Sequence, residues 1–186
     1  MNIWQGHRVR LRSVEPGDWE THFRWNQESE MSRRIDRVYF PQSTVEAQRW
    51  AERAAAQTAS DAQFHFEIET LDGTLVGSIG TNHCDARVGS FGYGIGILPE
   101  HQRKGYASEA ILLVCRYYFQ ELRYQKVNAV VYSFNEPSIK LHEHLGFQLE
   151  GRIRRMVFTQ GRHFALLYYG MTSDEFAERY RQALPE

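Results

Sequence analysis

A chain of 186 residues is long enough for one sizeable hydrophobic core and short for two, so a single domain over residues 1–186 is expected. Its net charge of −1 gives no bulk attraction to nucleic acid or membrane, and its two cysteines, Cys84 and Cys115, form no disulfide framework. Met1-Asn2-Ile3-Trp4 lacks a charged-then-apolar leader and no apolar run reaches membrane-spanning length, so a reduced, cytoplasmic setting is expected.

Val9-Arg10-Leu11-Arg12 alternates and reads as a first strand. Glu15-Pro16-Gly17-Asp18 turns the chain into a helix that carries Trp19, Phe23 and Trp25 as far as about Glu30. Ser43-Thr44-Val45-Glu46 has capping-box spacing and opens a second helix to about Thr58. Phe64–Glu69 and Leu75–Ile79 flank Asp72-Gly73, a strong hairpin signal.

Ser90–Leu98 then alternates strictly. Phe91, Tyr93, Ile95 and Ile97 share one face, and the other carries only Ser90, Gly92, Gly94 and Gly96. A strand face stripped of side chains lets a ligand or another backbone come close. Next comes Gln102-Arg103-Lys104-Gly105-Tyr106-Ala107, and then a helical run from Ser108 to Leu122 with Ile111, Cys115, Tyr118 and Leu122 on one side. Strand, basic glycine loop and helix together make an anion site, because a helix N-terminus offers unpaired N–H groups and partial positive charge. The glycines are no dinucleotide fingerprint, which needs them in the turn after the strand, and no Gly-Lys-Ser/Thr marks a triphosphate loop. Val127–Tyr132 is a further strand. Asn135-Glu136-Pro137-Ser138 opens a helix that Gly146 stops. Gln148–Phe158 and Phe164–Met171 flank the turn Gln160-Gly161-Arg162, and Thr172-Ser173-Asp174-Glu175 caps a last helix.

The loop resembles the acetyl-coenzyme A loop of the GNAT superfamily of N-acetyltransferases, whose pattern is Gln/Arg-x-x-Gly-x-Gly/Ala. Gln102, Gly105 and Ala107 fill its fixed positions. The stretch Asn135 to Phe147 resembles that family's second signature, and the likeness runs from about Arg8 to Tyr169. Glu150-Gly151 is similar to two branches, ribosomal-protein N-terminal and spermidine acetyltransferases. The resemblance implies an α+β fold, with a mixed sheet of six to seven strands and helices on both faces. It implies acetyl transfer from acetyl-CoA to a primary amine by direct attack, the acceptor being a small molecule such as a polyamine or a protein N-terminus. It also implies cofactor contacts from Ile97, Leu98, Gln102, Arg103, Lys104, Gly105, Tyr106, Ala107, Ser108, Asn135 and Ser138.

The chemistry needs a neutral amine, a donor for the carbonyl oxygen and a proton for the departing thiolate. Leu98, before the pairing-breaker Pro99, is the expected backbone donor. His142 stands where the family usually has a proton-donating Tyr, and Ser138 is the proposed donor in the ribosomal-protein branch; both stay open. That branch uses a Glu base where this chain has Val157. Glu67, Glu100, His83 and Tyr132 remain candidate bases beside ordered water. Glu28, Glu30 and Tyr132 are candidate substrate contacts. No metal site is expected, since His142 and His144, two apart on a helix, diverge and no Cys-x-x-Cys occurs. The rival readings are an acyl-CoA-binding regulatory module without turnover and a nucleic-acid binder using the basic hairpin of Arg152, Arg154, Arg155 and Arg162. Net charge speaks against the latter. Related proteins often dimerise, which leaves a homodimer open.

Overall fold

A computed structural model describes residues 2–58 and 63–180. Its centre is a seven-stranded mixed sheet. The strands are β1 (Val9–Arg12), β2 (His65–Thr70), β3 (Leu75–Asp85), β4 (Ser90–Ile97), β5 (Lys126–Tyr132), β6 (Gln148–Thr159) and β7 (Arg162–Thr172). Their order across the sheet is β1-β2-β3-β4-β5-β7-β6. Adjacent strands are antiparallel except β4 and β5, which run parallel. The helices are α1 (Trp19–Gln27), α2 (Ser29–Ile35), α3 (Thr44–Ala55), α4 (Tyr106–Gln120), α5 (Glu136–Leu145) and α6 (Ser173–Tyr180).

Period-two alternation divides the sheet into two faces. Phe66, Ile68, Ile79, Phe91, Val127, Leu167 and Met171 point to one face and form the core with Ala110, Ile111, Val114 and Tyr118 of α4. Phe91 stacks on Tyr118 with ring centroids 4.0 Å apart. The other face, on β4, is the bare row of glycines, and α1 and α2 lie across that side. His22 of α1 meets Glu67 of β2, and Met31 and Ile35 of α2 rest on Gly96.

The chain start is fixed to α4. The Glu109 carboxylate accepts backbone N–H bonds from His7, Arg8 and Val9, each at 2.8 Å. A Cβ built on Gly6 would lie 2.5 Å from Glu109, so the close approach requires glycine there.

Of the two capping boxes read, that at Thr172 closes in both directions and that at Ser43 through the Ser43 hydroxyl. Ser43 Oγ accepts from the Glu46 N–H at 3.1 Å, and Thr172 and Glu175 exchange bonds at the start of α6. Several boundaries differ from expectation: β3 runs on past Ile79 to Asp85, and α4 spans Tyr106–Gln120 rather than Ser108–Leu122. The second helix stops at Ala55 rather than near Thr58. The first is two helices, because Glu28 is extended (φ −85°, ψ 92°) and its N–H closes the last turn of α1 on Trp25. This break re-aims the chain, so α1 faces β2 while α2 faces β4.

Candidate active site

The site opens where the sheet divides. β4 and β5 pair only over Ser90–Gly92 and Lys126–Asn128. Beyond these residues the strands part, and the gap leads into a cavity of about 800 Å³, within the usual range for small-molecule sites. Gly94, Gly96 and Ile97 line it from β4, and Val130 and Tyr132 from β5. The turn after β4 supplies Gln102, Arg103 and Gly105, and α5 supplies Ser138 and His142.

At one end lies the glycine turn. Arg103 (φ +63°) and Gly105 (φ +85°) are both left-handed, and α4 begins at the next residue. Left-handed residues in such a turn aim successive N–H groups inward, which suits an anion. Tyr106, Ala107 and Ser108 line the cavity from the first turn of α4. Gln102 Nε2 donates to the Ile97 carbonyl at 2.9 Å and braces the turn against the strand end. The Lys104 carbonyl accepts from Arg8, and Lys104 is not among the described lining residues.

Leu98 is not a free amide. Its N–H donates to the Val76 carbonyl at 2.9 Å. Pro99 does end the strand, but the Leu98 N–H points toward β3. N–H groups alternate along a strand, so those of Ile97 and Ile95 point the other way, into the gap beside β5. Register alone decides this, and a sequence does not print register.

Asn135 bonds in two directions. Its Oδ1 accepts from the Ser138 N–H at 3.4 Å as a helix cap, and its Nδ2 donates to the Arg34 carbonyl at 3.0 Å. His142 is buried, not solvent-facing. Its Nδ1 donates to the Ser138 carbonyl at 2.7 Å, so Nε2 is unprotonated and accepts from the Tyr93 hydroxyl at 2.8 Å. Burial lowers the His142 pKa from its ordinary value near 6.5, against the opposing pull of the Ser138 bond. A neutral imidazole with both nitrogens engaged is no ready acid at pH 7, contrary to expectation. Burial holds the Tyr93 pKa well above 10. The Ser138 hydroxyl lies 3.4 Å from His142 Nδ1 and lines the cavity.

On the opposite side α2 supplies Arg34, β3 supplies Asn82 and His83, and β5 supplies Tyr132. The Tyr132 hydroxyl donates to the Asp36 carbonyl at 2.9 Å and ties down the chain after α2. Glu28 links two helices at the surface, and Glu30 pairs with Arg33; neither is among the described lining residues. Of the candidate bases His83 and Tyr132 line the cavity, whereas Glu67 and Glu100 do not.

The acetyltransferase (GNAT) domain family matches residues 8–148. The chain belongs to the GNAT acetyltransferases. It is 40% identical over 176 residues to the SPbeta prophage-derived uncharacterized N-acetyltransferase YokL of Bacillus subtilis, covering 95% of this chain and 96% of that one. It is 32% identical over 104 residues to the spermidine N(1)-acetyltransferase of Escherichia coli, covering 56% of this chain and 54% of that one. In fold it is similar to the spermidine N-acetyltransferase from Vibrio cholerae in complex with CoA and spermine. There the TM-score is 0.78 and the identity 24%, over 90% of this chain and 97% of that one.

This GNAT protein is therefore an acetyl-CoA-dependent N-acetyltransferase, transferring an acetyl group to an amine. No helix among its described residues is long and apolar enough to cross a membrane. Sequence reading singled out neither Arg34 nor Ile35 for the site. Both lie beyond Glu30, where the expected first helix ended, and it is the separate helix α2 that brings them to β4.

Proposed function

We propose that this enzyme acetylates a primary amine on a small molecule that also carries a carboxylate or phosphate, and that it is not a polyamine acetyltransferase. The observation that carries this is the charge of the cavity wall. Its acidic or basic lining residues are Arg34, His83, His101, Arg103 and His142, and none of the described lining residues is a carboxylate. A polycation would lose its hydration there with no counter-charge, whereas an anion would meet Arg34.

The residues present fit acetyl-CoA. The left-handed turn at Arg103 and Gly105 and the N-terminus of α4 suit its pyrophosphate. The gap between β4 and β5 has room for the pantetheine arm, with Asn135 and Ile97 beside it. Acetyl-CoA supplies an activated acyl thioester. The Ile95 N–H, deeper in the gap than Ile97 and next to Tyr93, is the donor for the carbonyl oxygen. The acceptor's proton leaves to water on the open side, where His83 lines the cavity and Gly94 is exposed. Ser138 Oγ relays a proton to the thiolate and takes one from solvent in the same step, so the hydroxyl is restored. Neutral His142, held by Tyr93, positions Ser138 and stays uncharged.

Thiol release should distinguish the acceptors. With glutamate or phosphoethanolamine as probe, kcat/KM is expected to exceed that for spermidine at least about tenfold, one charge-assisted bond being worth roughly 1.5–3 kcal/mol. Arg34→Ala should erase the difference. Preference for spermidine, or no turnover of either anionic probe, would overturn the assignment. Ser138→Ala is expected to lower kcat about 100-fold, as loss of a general acid does, with KM for acetyl-CoA little changed. Wild-type kcat in that variant would return the role to His142.

A further inference from the structure

We propose that His22, His65 and Glu67 form a binding site for one divalent transition-metal ion, best suited to Zn²⁺, outside the acetyl-transfer cavity. The cluster joins α1 to the start of β2. His22 Nε2 lies 2.7 Å from Glu67 Oε1, and His65 Nε2 lies 3.7 Å from the same oxygen. One donor atom from each residue falls within 4.8 Å of the other two. Two ligands bound to one zinc at about 2.0–2.2 Å sit roughly 3–4 Å apart, so the pocket needs only small adjustments.

An unmet demand at the centre of the cluster points to a cation. The Glu67 side chain has no solvent exposure, yet its Oε2 has no hydrogen-bond partner. His65 Nε2 is likewise buried and unpartnered, and 3.7 Å is too long for a hydrogen bond to Glu67. Buried polar atoms are rarely left unpaired, and two of them in one cluster fit a shared ion. The chemistry also matches. Two imidazole nitrogens and one carboxylate oxygen are donors that zinc takes.

Aromatic walls surround the site. Trp25 and Trp50 pack on His22 at 4.6 and 4.4 Å between ring centroids, and Trp50 stands edge-on to His65 at 5.9 Å. They exclude water and strengthen attraction between ion and ligands. The His65 side chain is 34% exposed, which gives the ion a way in and leaves a position for a water ligand. Binding replaces the proton between His22 Nε2 and Glu67. That proton goes to His22 Nδ1 when the imidazole is neutral, and to solvent when it is charged. None of the residues in the cluster lines the acetyl-transfer cavity.

The test uses the full chain without a histidine tag. After incubation with Zn²⁺ and gel filtration, mass spectrometry is expected to find about one zinc per chain, the count for a single three-ligand site. Co²⁺ should give visible absorption of four- or five-coordinate N/O geometry. His65→Ala and Glu67→Gln should each weaken Zn²⁺ at least about tenfold, whereas His144→Ala, an exposed imidazole elsewhere, should not. Circular dichroism checks that each variant is folded. Substoichiometric zinc in the wild type, or undiminished binding in folded His65→Ala, would overturn the site.

Discussion

Gly105→Val raises the KM for acetyl-CoA at least about 100-fold, a loss of roughly 2.8 kcal/mol of binding at about 1.4 kcal/mol per decade. Crowding is not the cause. A Cβ at Gly105 would meet nothing closer than Arg8 at 3.7 Å, an ordinary contact. The cause is backbone. At φ +85° an L-residue carries a cost of roughly 1–2 kcal/mol, and a β-branched one more. The turn escapes that cost by changing shape, and the N–H groups of Tyr106 to Ser108 then lose their aim. Gly105→Asn separates the two explanations. Asparagine is as large as valine in reach but tolerates the left-handed region, so it should keep most of the affinity. Thermal unfolding with and without acetyl-CoA checks this independently of any acceptor: wild type gains several degrees, Gly105→Asn keeps most of the gain, and Gly105→Val loses it. A full shift in the valine variant would mean the turn does not hold the pyrophosphate.

Local grammar made most of the fold legible. Asp72-Gly73 fixed a hairpin, Ser43 and Thr172 fixed two caps, and the bare row Gly92, Gly94, Gly96 marked the strand at the site before any coordinates. What stayed hidden depends on register and on long-range meetings. Leu98 and Ile97 are equivalent in a sequence, yet one N–H faces Val76 and the other the gap. His142 was legible as a candidate donor, but not its burial, because helix periodicity does not say which side is covered, and Tyr93 and Tyr169 cover it. The meeting of His22 with Glu67 was hidden in the same way. His22 and Glu67 are 45 residues apart in the chain, and only the packing of α1 on β2 brings them together.

Gly94→Val is expected to abolish acetyl transfer while leaving the protein as stable as wild type or slightly more so. The glycines of the bare face differ in what a side chain would meet. At Gly92 a Cβ would lie 2.6 Å from Asn82 Oδ1, and at Gly96 2.6 Å from Ile35 Cδ1. At those two a neighbouring side chain already occupies the space, so Gly96→Val should make Ile35 and Met31 move aside and cost some stability. At Gly94 there is nothing within 4 Å. Packing therefore gives no reason for glycine there, and strand propensity argues against it. Valine fits a pleated strand better by up to about 1 kcal/mol and has less freedom to lose on folding. What tolerates no side chain at Gly94 is the cavity itself, since the new methyls would stand in it where an amine must approach the thioester. Reacting atoms held even about 1 Å out of place can lose 100-fold in rate, so kcat/KM for the acceptor should fall at least that far. Thermal unfolding and thiol release read the two effects separately. A stable Gly94→Val enzyme with normal turnover would mean that the acceptor does not approach across this face, and the route would then have to run from the β5 side, past Val130 and Tyr168.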